Sequence, residues 1–305
     1  MSELTWLHLS DWHQEGTDFN RRVVRDALIK DIKKRADINL ALSKIDFVVF
    51  SGDIASNGKE EEYLAAKVEL FDPILKAIGL NPDKLFIVPG NHDLDRTKLD
   101  KVLKSLLRLL EPYEEVKEWL DNDNNRKKVL EPFQAFTEFV TSYTHQEHPN
   151  YASIKELTID GKKVGLIGIN SALTCGREKD DRGSLFVGEP QVYDSLKQIS
   201  NAEIRIAVLH HPFDWLNTSD FDHISGRLMK GCDFILQGHQ HRSGLKVIQS
   251  SSGSSIIIPA GACYGSRIER DPRYTCAYNF THLNIDSGNG IVFFRRWSEN
   301  REIWL

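Results

Sequence analysis

The chain has no excess of positive charge, no paired cysteines and no long apolar run. A formal net charge of −5 excludes a broadly basic, nucleic-acid-coating surface, though not a local basic patch. The four cysteines (Cys175, Cys232, Cys263, Cys276) stand far apart with no C-x-x-C pair. That spacing fits reduced thiols better than a disulfide framework or a zinc ribbon. No window approaches the ~20 apolar residues of a membrane span. The start, Met1-Ser2-Glu3-Leu4-Thr5, lacks the basic and apolar regions of a signal peptide. A soluble, cytoplasmic protein with no membrane partner is expected. Internal repeats and low-complexity tracts are absent too. What is present is ordinary for a globular chain: 40% hydrophobic and 27% charged residues over 305 positions, enough for a sizeable core. A single domain spanning 1–305 is expected.

Taken in order, short apolar runs alternate with helical patterns. Residues 4–10 read as a strand that ends in Asp11-Trp12-His13. On an extended segment Asp11 and His13, two residues apart, point to the same side. Val23, Val24, Ala27, Leu28 and Ile32 give residues 18–42 a helical period. Strand 45–50 then ends in Ser51-Gly52-Asp53. A charged helix over 60–78 leads to strand 85–88, which ends in Pro89-Gly90-Asn91-His92-Asp93. There Gly90 is expected to let the chain turn sharply. Strand–helix–strand at this repeat length means parallel βαβ units, so the three polar tips lie along one sheet edge.

Residues 94–150 break the pattern with two helical stretches around a polar Asp121-Asn122-Asp123-Asn124-Asn125, and are expected to form a helical cap on that edge. Beyond it come a hairpin (154–159 and 164–169 about Asp160-Gly161), a polar loop over 171–189 and a helix near 190–199. Strand 204–209 ends in His210-His211-Pro212, and strand 232–236 in Gln237-Gly238-His239-Gln240-His241. Later strands are expected at 255–258, 278–285 and 291–297, giving two sheets.

Polar side chains at the end of one apolar run make a turn; the same pattern at five runs is harder to explain by solvent. Buried parallel strands place ligands just beyond their carboxyl ends. Carboxylates, an amide oxygen and imidazoles, with no thiolate, suit Mn²⁺, Fe²⁺, Zn²⁺, Ni²⁺ or Co²⁺ rather than a structural zinc site. The set is too large for one ion with an open position and about right for two ions sharing one carboxylate.

The combination Asp11-Trp12-His13, Gly52-Asp53, Gly90-Asn91-His92-Asp93, His210 and Gly238-His239-Gln240-His241 resembles the calcineurin-like metallophosphoesterases. The resemblance implies an α/β/β/α four-layer sandwich and two divalent metal ions, manganese or iron first among the candidates. It implies that Asp11, His13 and His241 hold one ion, that Asn91, His210 and His239 hold the other, and that Asp53 bridges them. His92 becomes the catalytic histidine, assisting the leaving group as a metal-bridging hydroxide attacks phosphorus. His210 is selected over His211 because the family's ligand precedes the position before proline. His145, His148, His223 and His282 match no motif.

Departures narrow the class. The protein Ser/Thr phosphatase branch carries an acidic residue three positions after the bridging aspartate and then an arginine. Here the run is Asp53-Ile54-Ala55-Ser56-Asn57-Gly58, with neither. The layout looks more like the class III cyclic-nucleotide phosphodiesterases and the repair nucleases. The expected activity is hydrolysis of a phosphodiester of nucleotide or cyclic-nucleotide type. Nuclease or phosphomonoesterase activity is the alternative, and a non-catalytic scaffold on the same fold is the alternative of another class. Asn91 would also face substrate, and Arg96 could pair with its phosphate, an ordinary salt bridge being the plainer option. Three arginines in the 265–273 loop could reach substrate as well. Asp93 could orient His92 or the local turn, and the sequence does not choose.

Overall fold

Every central strand of the chain is apolar on both faces, which only a sheet covered on both sides can satisfy. In β1 (Glu3–Leu9), Leu4 and Trp6 enter one core while Leu7 and Leu9 enter another. In β2 (Phe47–Phe50), Phe47 and Val49 separate from Val48 and Phe50 in the same way. Phe86 and Ile87 do so in β3 (Leu85–Ile87). The computed structural model describes residues 2–16, 18–109, 113–176, 181–241, 244–250, 253–265 and 276–305. It resolves this alternation into two six-stranded sheets.

The second sheet contains β4 (Ala152–Ile159), β5 (Lys162–Ile169), β6 (Ile204–Leu209), β7 (Phe234–Gln237), β8 (Lys246–Ser250) and β9 (Gly253–Pro259). The first is completed by β10 (Ala277–Asn284), β11 (Gly290–Ser298) and β12 (Ile303–Trp304). The strand orders are β12-β11-β10-β1-β2-β3 and β4-β5-β6-β7-β9-β8. β1, β2 and β3 are mutually parallel, as are β5, β6, β7 and β9; antiparallel strands finish the edges. Trp6, Phe47, Val49, Phe86 and Val88 meet Val164, Leu166, Ile206, Val208 and Leu236 in the core between the sheets. Each such side chain contributes ~1.5–3 kcal/mol by leaving water.

Helices cover the outer faces. α1 (Phe19–Lys33) is capped by Asp18 accepting from the Arg21 N–H and buries Val24, Leu28 and Ile32. It is followed by a single turn, α2 (Arg35–Ile38). The expected 60–78 helix is α3 (Glu60–Ala66) and α4 (Asp72–Ile78), joined without a break by a π-turn over Lys67–Phe71. Pro73, which has no N–H to give back along the helix, lies just past that widening. On the second sheet lie α9 (Glu189–Gln198) and α10 (Thr218–Gly231).

The 94–150 insertion has more helix than its sequence suggests: α5 (Lys101–Leu109), α6 (Tyr113–Asp121), α7 (Asp123–Leu130) and α8 (Gln134–Thr144). It also divides between the two outer layers. Leu99, Leu103, Leu107, Val116, Leu120 and Phe133 pack with the second sheet's helical side. Phe136, Phe139 and Val140 pack with Tyr63 and Phe71 over the first. An Asp95 N–H to Pro132 carbonyl bond (2.9 Å) ties its entrance to its middle. The insertion is therefore part of the sandwich's outer layers. The result is an α/β/β/α sandwich, as expected from the sequence.

Candidate metal centre

The carboxyl ends of β1, β2 and β3 in one sheet and of β6 and β7 in the other point at one another, and the loops leaving them are laced together. The N–H groups of Asp11, Trp12, His13 and Gln14 bond the carbonyls of Gly52, Asp53 and Ile54 at 2.7–3.0 Å, extending the β1–β2 pairing past the strands. The Gly238 N–H bonds the His210 carbonyl (3.0 Å). Across the sheets, His210 Nδ1 lies 2.7 Å from the Ser51 carbonyl. A carbonyl only accepts, so Nδ1 carries the proton and Nε2 presents a lone pair to the centre.

Five of the residues so placed are in left-handed backbone: Asp11 (φ 54°), His13 (48°), Asp53 (58°), His239 (67°) and His241 (49°). Asp11 and His13 therefore do not sit on an extended segment. The chain curls between them, and their side chains converge because each has left the strand conformation. Non-glycine residues there cost roughly 1 kcal/mol or more apiece, and such outliers cluster at functional sites. Gly90 opens the turn after β3, its carbonyl accepting the Asp93 N–H (3.3 Å), and it does so without left-handed backbone. It is glycine because a Cβ would lie 2.1 Å from Asp53 Oδ1. Gly238 is glycine for the same reason, with Ser10 Oγ at 2.1 Å and Asp11 Oδ2 at 2.9 Å from a Cβ.

The donors fall into overlapping groups whose ligand atoms lie within 4.8 Å of one another: Asp11, His13 and His241; Asp11, Asp53 and His210; His13, Asp53 and His92; His210, His211 and His239. The individual separations are informative. Asp11 Oδ1 is 3.3 Å from His241 Nε2 and 3.6 Å from His13 Nε2. Asp53 Oδ2 is 3.2 Å from His210 Nε2 and 3.9 Å from His13 Nε2, and so stands between the two groups. His210 Nε2 is 3.2 Å from His239 Nδ1. Two atoms each ~2.1 Å from a shared ion, at adjacent corners of its coordination shell, lie about 3.0–3.4 Å apart. Asp11 Oδ1 is fully buried with no hydrogen-bond partner, while Oδ2 accepts the His239 N–H (3.0 Å). A lone carboxylate oxygen facing imidazole nitrogens fits a cation.

Charge tells the same story. Burial would raise the Asp11 carboxyl, but His13 and His241 hold it well below its usual range. Burial opposes ionisation of Asp53 too, and the surrounding imidazoles, His210 first, hold it down. Burial pulls His210 down, yet Asp53, Asp11 and the Ser51 carbonyl outweigh this and push it up to about 9. Burial and the His210 charge lower His239 to about 3. The bare centre is thus anionic enough to hold a proton where a metal ion fits.

His92 is half-buried at the rim. Its backbone N–H donates to Asp53 Oδ1 (2.8 Å), its Nδ1 meets the Ser56 carbonyl (2.9 Å), and a ring nitrogen lies within 4.8 Å of donor atoms of His13 and Asp53. Asp93 makes no hydrogen bond to that imidazole. Its buried carboxylate accepts the N–H groups of Asp53 (2.8 Å), Gly90 (2.9 Å), Ala55 (3.0 Å) and Ile54 (3.1 Å), with the Tyr63 hydroxyl at 3.3 Å. It holds the β2 and β3 loops together. Burial and the Asp53 charge push it up to about 6 against the pull of those N–H groups.

Arg96 is exposed, and no carboxylate among the described residues is in ion-pair range of it. Its field opposes the upward push that burial and Asp181 exert on the Cys175 thiol, whose Sγ is 3.9 Å from His211 Nε2. Sequence reasoning set His211 aside, yet it is buried against Asn91, with its Nε2 3.2 Å from the amide Oδ1. It also missed Trp215, whose ring lies 4.0 Å from that of His239. His8 is buried on Ser51 (2.9 Å), and His223 and His282 contact Tyr113 and Thr5 away from the site. The arginines of the 265–273 loop lie outside the described residues.

The four-layer sandwich thus gathers oxygen and imidazole donors at the strand ends of both sheets, with the Asp53 carboxylate among them. The chain belongs to the calcineurin-like phosphoesterase family, whose model matches residues 4–243. It is 23% identical over 312 residues to the uncharacterized metallophosphoesterase-like protein YydB of Bacillus subtilis, covering 99% of this chain and 61% of that one. It is 32% identical over 130 residues to the probable glycerophosphodiester phosphodiesterase GpdQ of Arcobacter nitrofigilis, covering 42% and 39%. The chain thus spans less than two thirds of the length of either relative. Among solved structures, GAP50, the anchor in the inner membrane complex of Plasmodium, superposes with a TM-score of 0.52 at 15% identity, covering 98% of this chain and 85% of that one. Among the described residues no helix is long and apolar enough to cross a membrane.

Proposed function

We propose that the protein hydrolyses a phosphodiester of nucleotide or cyclic-nucleotide type with two divalent ions in the centre. Asp11, His13 and His241 would hold one ion, Asn91, His210 and His239 the other, and Asp53 would be shared between them. Bound there, the ions supply an activated water near neutral pH and neutralise the phosphate oxygens. The observation that carries the diester preference is His92. With Nδ1–H fixed on the Ser56 carbonyl, Nε2 is the ring nitrogen left to exchange a proton, on a ring grouped with the His13 and Asp53 donors.

An alkoxide leaving group, with its high proton affinity, gains most from such an acid. Asn91 adds an oxygen donor without a negative charge that would repel phosphate. Arg96, exposed and without an ion-pair partner among the described residues, would pair with a phosphate oxygen. The similarity to a probable glycerophosphodiester phosphodiesterase supports the diester reading.

The test is turnover of bis(4-nitrophenyl) phosphate against 4-nitrophenyl phosphate with Mn²⁺ present. Faster diester hydrolysis is expected, followed by activity on a panel of cyclic nucleotides. Turnover confined to the monoester would reject the diester preference. No turnover by a metal-replete preparation would point to a scaffold.

A further inference from the structure

His210 and His211 are consecutive, both fully buried, and held by partners of opposite character. His210 Nδ1 faces a carbonyl, so its Nε2 is bare. His211 Nδ1 faces the Ser171 hydroxyl at 3.0 Å, and that same Oγ accepts the His211 backbone N–H at 2.9 Å. The hydroxyl proton is buried and needs an acceptor, and among the described residues Nδ1 is the one in reach. The His211 proton therefore sits on Nε2, which lies 3.2 Å from Asn91 Oδ1. The neighbouring rings of His210 (4.8 Å), His239 (4.6 Å) and Trp215 (5.7 Å) hold the imidazole in this pose.

We infer that His211 is a positioning residue: its Nε2–H fixes which end of the Asn91 amide faces the metal centre. The two ends of an amide are nearly the same size, and only the oxygen can ligate a cation. An N–H donor at that end accepts oxygen and rejects NH2. The Asn91 oxygen has two lone pairs, one for His211 and one for an ion beside His210 and His239. The NH2 is thereby turned away from His211, free to donate to an anionic substrate oxygen. Ser171, at the end of β5, sets this arrangement from behind by fixing the tautomer. The inference rests on the metal assignment of the proposed function but not on its substrate.

The experiment is Mn²⁺ titration of the metal-free protein by calorimetry for the native chain, His211→Leu, His211→Gln and Ser171→Ala. Partners that orient metal ligands are worth about 10–100-fold in affinity. His211→Leu is expected to weaken one of two Mn²⁺ sites by that factor and leave the other unchanged. His211→Gln, whose NH2 can still donate, should recover much of the loss, and Ser171→Ala should fall between. In the Zn²⁺-loaded native protein, two-bond ¹H–¹⁵N spectra should show His211 with its proton on Nε2.

Two unchanged sites in His211→Leu, or a proton on Nδ1, would overturn the inference while leaving the proposed function standing. Equal loss in His211→Gln and His211→Leu would also overturn it, making the imidazole itself a ligand. A native chain that takes up no Mn²⁺ would overturn the metal assignment and this inference with it. If His211→Leu fails to fold by circular dichroism, the Gln and Ser171 variants and the spectra decide.

Discussion

Removing the Asp93 carboxylate should unfold the centre before it touches the chemistry. In Asp93→Ala the N–H groups of Asp53, Ile54, Ala55 and Gly90 lose their acceptor in a site closed to solvent. A buried donor left unsatisfied costs about 1–3 kcal/mol, so the four together cost at least about 4. Two effects work the other way. The variant no longer buries a negative charge beside Asp53, a strain that raises the carboxyl from 3.8 to about 6 and is worth roughly 3 kcal/mol. Water can also enter the vacated space and satisfy some of the donors. Four donors at about 1–3 kcal/mol each, less roughly 3 kcal/mol of relief, leave a net loss of about 1–9 kcal/mol, toward the lower end where water enters. Urea unfolding of the metal-free protein measures it, with His92→Ala as control. That half-buried imidazole has one hydrogen bond, to a carbonyl, and one edge-on ring contact, with His13, and should cost about 1 kcal/mol. Metal affinity should fall at least about tenfold in Asp93→Ala, because both loops it joins carry ligands. Unfolding within about 1 kcal/mol of native, with full metal affinity, would refute the assignment of Asp93 as the tie between them.

Further expectations follow from the same geometry. His92→Asn should slow hydrolysis of an alkyl diester by about 10²–10⁴ but slow 4-nitrophenyl esters far less, with metal content unchanged; equal losses on both substrates would remove the leaving-group role. Arg96→Ala should raise KM for a diester with little change in kcat, as initial rates over a substrate range would show. The metal-free protein should lose stability as pH rises. His210 is displaced upward from 6.5 to about 9, so its contribution is complete below about 6.5 and gone above about 9, roughly 3 kcal/mol at most. Denaturant midpoints across that range should fall without metal and hold steady with Mn²⁺ bound.

The two-sheet sandwich and the place of the site were legible because apolar runs stop abruptly at Asp11, Asp53, Asn91, His210 and His239. A strand buried on both faces cannot continue through such residues. What was not legible depends on partners remote in sequence. Asp93 has no signature of its own role, since its acceptor function is set by backbone N–H groups of a loop 38–40 residues away. His210 and His211 look alike on paper, and the difference between them lies in a carbonyl at Ser51 and a hydroxyl at Ser171. Helix α10 escaped notice because residues 213–231 carry a thin apolar stripe, Phe221, Ile224 and Leu228, among many polar residues. β8 was missed because it is an edge strand with Val247 turned to solvent. The insertion's helices were visible, but not their division between two outer layers, which is a property of the surfaces they meet.

The left-handed backbone at five donor positions has a consequence for how the protein responds to selection. Asparagine and glycine occupy that conformation more easily than histidine does, so His13→Asn, His239→Asn or His241→Gly relaxes the local backbone of the metal-free chain. A screen that rewards heat resistance or yield without metal would therefore enrich changes at the donor positions themselves. The same screen run with Mn²⁺ would favour keeping them, because a bound ion stabilises only the folded chain that can hold it.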